Sequence, residues 1–190
     1  MFTRQFLILA AAAASVLAAD SARYEYRVLA TNRTSTMEKE MNEAGDSGFH
    51  FLAVMGGETG FGGKEVVLVM GKEPGAKNSS HKKYKLLATA RTGSMQKELQ
   101  QAGDEGFEYL GQTVFESAFG GREVSVILER DPEKGAKRFQ YKLLATSKTS
   151  TMQKELLLAG QEGFEFLGMT VGKTAIGGNE IVCFLRKAVE

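Results

Sequence analysis

One register of self-similarity runs through most of this 190-residue chain and constrains its fold more than composition does. Tyr26-Arg27-Val28-Leu29-Ala30-Thr31 returns as Tyr84-Lys85-Leu86-Leu87-Ala88-Thr89 and as Tyr141-Lys142-Leu143-Leu144-Ala145-Thr146. Met95-Gln96-Lys97-Glu98-Leu99 returns as Met152-Gln153-Lys154-Glu155-Leu156, with a looser copy beginning at Met37. Gly45, Gly103 and Gly160 align, as do Gly48, Gly106 and Gly163, and the pairs Gly62-Gly63, Gly120-Gly121 and Gly177-Gly178. Landmarks are about 58 and then about 57 residues apart. Three copies of one supersecondary unit are expected.

Each unit opens on residues alternating with a period of two, the signature of a strand. A helix follows. Ser35 with Glu38, Gly93 with Gln96, and Ser150 with Gln153 have the spacing of a capping box. Met95, Leu99 and Ala102 then mark one helical face, as do their counterparts in the other copies. Gly45, Gly103 and Gly160 are expected in the left-handed position that ends a helix. A second strand follows the second glycine, and the Gly-Gly pair leads to a third, close enough for a hairpin. The fold class is α+β: three tandem βαββ repeats, each a three-stranded antiparallel sheet with one helix. The expected boundaries are residues 20–73, 81–131 and 138–190, joined by short spacers at Pro74-Gly75-Ala76-Lys77 and in residues 132–137.

The strands are apolar on both faces, and one helix covers one face. Tyr26, Val28, Phe49, Phe51, Val66 and Leu68 are expected beneath the helix. Leu29, Leu52, Val67 and Val69 fall on the second face, with Leu87, Leu110 and Ile127, then Leu144, Leu167, Val182 and Phe184, as counterparts. A unit of this size is marginal alone. The second faces should therefore pack together in one body with approximate internal threefold symmetry; a continuous sheet across the units is the alternative.

Residues 1–19 read as a signal peptide. Arg4 precedes an unbroken apolar run over residues 6–14, and Ala18 and Ala19 offer cleavage sites. The run is shorter than the roughly 20 residues of a spanning helix. The mature chain is expected to be periplasmic or secreted, in a bacterial setting, with no membrane association after signal removal. Of 24 basic and 23 acidic residues the leader holds only Arg4, which leaves 23 of each. A neutral chain without a basic run argues against nucleic acid as a partner. The single cysteine, Cys183, has no intramolecular partner and lies in an apolar strand pattern, as a small buried hydrophobe.

The pattern Tyr24-Glu25-Tyr26-Arg27-Val28, a helix, then Gly45-Asp46-Ser47-Gly48-Phe49-His50-Phe51-Leu52 resembles a small bacterial domain family of unknown function. That family has a YEYKVV-like opening strand and a GxxGWELV-like second strand. All three units are similar to it, most closely at residues 103–110 and 160–167. The family's tryptophan is Phe49, Phe107 and Phe164 here. The resemblance implies a βαββ fold and brings no activity.

No motif points to catalysis. His50 and His81 stand at no metal-ligand spacing, and neither a metal nor a cofactor is expected. The Gly-Gly elements lead into strands, so they offer no helix terminus to a phosphate. The repeated ionic feature is a base on strand one (Arg27, Lys85, Lys142) with an acid on strand two (Glu108, Glu165), both expected on the face away from the helix. These five are the candidate ligand-binding residues; cross-strand pairing is the other reading. The expected function is a non-enzymatic binding or structural module whose partner is a small molecule or a protein. The alternative is an enzyme with a site formed between repeats.

Overall fold

Alternating strands and turn glycines produce one element order three times in the computed structural model, which describes residues 23–58, 64–74, 81–116, 122–135, 137–173 and 178–189. The first unit comprises β1 (Glu25–Thr31), α1 (Thr34–Asp46), β2 (His50–Glu58) and β3 (Lys64–Lys72). The second comprises β4 (Lys83–Thr89), α2 (Thr92–Asp104), β5 (Glu108–Glu116) and β6 (Arg122–Arg130). The third comprises β7 (Arg138–Thr146), α3 (Thr149–Gln161), β8 (Glu165–Lys173) and β9 (Asn179–Val189). The leader, Gly62-Gly63, Gly120-Gly121, Gly177 and Gly75-Ala76-Lys77 lie outside the described residues. The second spacer holds a short 3-10 helix, Pro132–Lys134. Among the described residues no helix is long and apolar enough to cross a membrane.

The expected α+β fold of three βαββ units is present. Each sheet places its third strand in the centre, in the orders β1-β3-β2, β4-β6-β5 and β7-β9-β8, and every pairing is antiparallel. The three sheets are separate, so the continuous-sheet alternative does not hold. The second faces do not meet about a threefold axis either: that of unit two packs into the core of unit one and that of unit three into the core of unit two. Unit one packs on unit two, and unit two on unit three. Among the described residues, no element of the first unit packs extensively on one of the third.

Two local expectations are corrected. The helices begin two residues earlier than the capping boxes proposed, after Arg33, Arg91 and Lys148, and no side chain caps them. Instead the Thr31, Thr89 and Thr146 hydroxyls accept the amides of Arg33, Arg91 and Lys148 and turn the chain into each helix. The left-handed residues are the second glycines, Gly48, Gly106 and Gly163, at φ of 84°, 86° and 85°. The first glycines lie within the last helical turn.

The strand-one faces are also exchanged. Leu29 pairs directly with Leu68, and Leu87 with Val126, and directly opposed residues share a sheet face. Leu29, Leu87 and Leu144 therefore join their own unit's helix in its core. Tyr84, Leu86 and Ile127 of unit two instead enter the core of unit one. Tyr141, Val182 and Phe184 of unit three enter the core of unit two. Tyr26 and Val28, expected beneath the helix, occupy the corresponding positions of unit one and are exposed. Strand three was placed correctly on both faces.

Between units one and two, Ser125 is buried, and its hydroxyl has no partner among the described residues. Its counterparts by strand register are Val67 and Val182. An unmet buried hydroxyl costs on the order of 1–3 kcal/mol. Ser125→Ala should therefore raise the unfolding free energy by about 1 kcal/mol, read as a higher denaturant midpoint at unchanged slope; a lower midpoint would show that the hydroxyl has a hidden use.

Candidate functional site

The five candidate ionic residues do not converge. The Arg27 guanidinium lies 4.1 Å from the centre of the Phe49 ring, Lys85 Nζ 4.7 Å from that of Phe107, and Lys142 Nζ 4.4 Å from that of Phe164. Each base thus covers the phenyl ring of its own unit. Lys85 and Lys142 bond Glu105 and Glu162, in the turns that end α2 and α3. The Lys85 bond holds the Glu105 carboxyl below the usual carboxylate range. Glu108 and Glu165 come together differently: Arg186 on β9 reaches both, with Nη2 3.2 Å from Glu165 Oε2. The set is therefore three cation–ring covers and one acid–arginine–acid bridge between units two and three.

The other candidates are quickly placed. His81 Nδ1 is 3.9 Å from Asp46 on the surface. Among the described residues no cluster of histidine, cysteine and carboxylate side chains is arranged to hold a metal. Cys183 is 1% exposed, and burial pushes its thiol pKa up. By strand register it takes the position of Leu68 and Val126.

The dominant polar apparatus is one that the sequence reading missed. β4 and β7 are edge strands, and the outward N–H and C=O groups of an edge strand need partners. The preceding helix supplies them. Asn42 accepts from Tyr84 N at 3.0 Å and donates to Tyr84 O at 2.9 Å, and Glu38 accepts from Leu86 N at 2.9 Å. One unit later, Gln100 accepts from Tyr141 N at 3.0 Å and donates to Phe139 O at 3.3 Å. Gln96 accepts from Leu143 N at 2.7 Å and donates to Tyr141 O at 2.9 Å. Glu38 and Gln96, expected in capping boxes, thus bind the next unit's backbone.

A tyrosine and a glycine complete each junction. Tyr84 and Tyr141 insert into the unit before, where their hydroxyls accept from Phe51 N and Tyr109 N at 3.3 and 2.8 Å. Both amides sit at the β-bulges of β2 and β5. Tyr141 also donates to Phe107 O at 2.9 Å. A Cβ on Gly45 would stand 2.8 Å from Lys82 O, and one on Gly103 2.3 Å from Phe139 O. Only glycine lets these backbones meet. The recurrence of both residues in every unit is the sequence signal that could have found this pairing.

A small cleft with room for about one water molecule lies between units two and three, lined by Thr89, Arg91 and Thr92 together with Met95, Val182 and Phe184. Thr92 bonds Glu180 there. Gly172 lines it, and a Cβ at that position would lie 2.8 Å from Val182 Cγ2.

The first and third units carry the exposed large apolar side chains. Tyr24, Tyr26, Val28, Leu52 and Met55 belong to unit one; Leu157, Leu158, Phe166, Met169, Val171 and Val189 belong to unit three. Among the described residues the middle unit has none. Tyr26 is 64% exposed, whereas its counterparts Tyr84 and Tyr141 are each 3% exposed. No protein family, curated protein or solved structure matches this chain.

Two measurements check this account. Gly103→Ala should destabilise by about 1–3 kcal/mol, because its methyl meets a backbone oxygen. Gly160→Ala, which meets nothing within 4 Å, should stabilise by up to about 1 kcal/mol through helix propensity. Equal effects would remove the glycine argument. Burial is the leading cause that holds the Tyr84, Tyr109 and Tyr141 phenols protonated far above the ordinary tyrosine range. Their folded pKa values are raised, so their contribution is intact below about pH 10 and declines as pH rises beyond it. Spectrophotometric titration should show these three ionising only with unfolding; reversible ionisation in the folded protein near pH 10 would contradict their burial.

Proposed function

We propose that this chain is an exported, non-enzymatic binding and structural module that docks polypeptide elements on its terminal faces. The observation that carries this reading is the uncovered β1. Tyr24, Tyr26 and Val28 stand exposed where Phe139 and Tyr141, or Tyr84 and Leu86, are buried by a preceding helix. An exposed edge strand with an apolar face is a docking template. Arg4 and the apolar leader support export to the periplasm or the medium.

Hydrogen exchange tests the docking reading. The Tyr26 and Val28 amides should exchange rapidly in dilute purified protein. In concentrated native envelope extract they should exchange at least roughly tenfold more slowly. Unchanged rates would remove polypeptide docking at β1.

A further inference from the structure

We infer that the occupant of β1 is a second copy of this chain, whose α3 and β8 dock on it as α1 and β2 dock on unit two and α2 and β5 on unit three. This rests on the docking reading above and names its partner.

The two ends are complementary halves of the junction already used twice within the chain. On the donor side, Gln153 stands where Glu38 and Gln96 stand in α1 and α2. By the same register it would accept from Val28 N and donate to Tyr26 O. Gly160 stands where Gly45 and Gly103 admit the next strand's backbone, yet nothing lies within 4 Å of its added Cβ. The Phe164 carbonyl and Phe166 amide correspond to the groups in unit two that bond the Tyr141 hydroxyl. They receive no tyrosine within the described chain. Phe166 and Met169, counterparts of the packed Phe51 and Val54, are exposed.

On the receiving side, Tyr26 is the missing tyrosine. Its ring lies 6.3 Å from that of Tyr24, the same separation as the buried Phe139–Tyr141 pair in the α2–β7 junction. β1 pairs with β3 in the register in which β4 pairs with β6, so the Tyr26 and Val28 amides face outward as those of Tyr84 and Leu86 do. Ala53 replaces the glycines, Gly111 and Gly168, on which the preceding second strand rests. Leu157 replaces the second amide, Asn42 or Gln100. The contact is head-to-tail, so each copy uses two different faces and can add a further copy.

Complementation between two variants of the full chain tests this. Tyr26→Asp damages only the receiving face and Gly160→Trp only the donor face; both positions are exposed or open, and circular dichroism checks that both variants fold. In sedimentation velocity over a concentration series, the unaltered chain should form dimers and longer species. Each variant alone should associate at least roughly tenfold more weakly. Mixed, they should form a one-to-one dimer that grows no further, because each retains the face the other lacks. A monomeric unaltered chain would overturn the inference, and so would association indifferent to both substitutions. Failure of the mixture to pair would overturn it as well. If the Tyr26 and Val28 amides still gain protection in extract while the purified chain stays monomeric, docking stands and the second copy is the wrong partner.

Discussion

The structure depends on how an edge strand's backbone is satisfied. β4 and β7 each present N–H and C=O groups that no strand pairs, and leaving such groups buried and unmet costs on the order of 1–3 kcal/mol each. Side chains one helical turn apart on the preceding helix meet them: Glu38 with Asn42, and Gln96 with Gln100. A carboxamide can donate and accept at once, so it fits a strand edge as another strand would. This forces the helix close to the strand, and the close approach in turn requires Gly45 and Gly103. The tyrosine that points from the strand into the preceding unit then finds the amide exposed by a β-bulge. Helix, glycine, tyrosine and bulge are parts of one device.

The device makes each unit complete only in the presence of its neighbour. The unit one core contains Tyr84, Leu86 and Ile127 from unit two, and the unit two core contains Tyr141, Val182 and Phe184 from unit three. Stability in such arrays is carried by nearest-neighbour interfaces, and terminal repeats ordinarily carry polar outer faces. Here both ends keep the apolar side chains of an internal junction. Burying a residue of the size of Val28 or Leu52 is worth about 1.5–3 kcal/mol, so these ends hold a substantial unused contribution.

The repeat made the unit topology legible, because three aligned copies fixed the order of strands, helix and turns. Core positions on the helix and on strand three followed from periodicity. Strand one was read on the inverted face, since Tyr26, Val28 and Leu29 are all apolar and only the pairing of Leu29 with Leu68 decides which side faces the helix. The capping-box spacing at Ser35 and Glu38 was equally ambiguous. A side chain at that position serves the helix start or the next unit's strand, and the tertiary contact determines the outcome. The candidate ionic residues were found, but their partners come from turns (Glu105, Glu162) and, for Glu108, from a strand of another unit (Arg186). No local spacing encodes those contacts.

The departures at the ends bear on how an assembled contact would behave. In a head-to-tail junction Leu157 offers Tyr26 N–H no acceptor, whereas Asn42 and Gln100 each serve the equivalent amide inside the chain. Ala53 adds a methyl where the internal junctions have glycine. An interface between chains also bears the loss of translational and rotational freedom, on the order of 4–15 kcal/mol, from which covalently joined units are largely spared. The same device, short of one amide and slightly crowded, thus yields a contact weaker than the two internal ones. Units within a chain stay together at any dilution, while copies join only as concentration rises. Concentration would then be the variable that sets assembly.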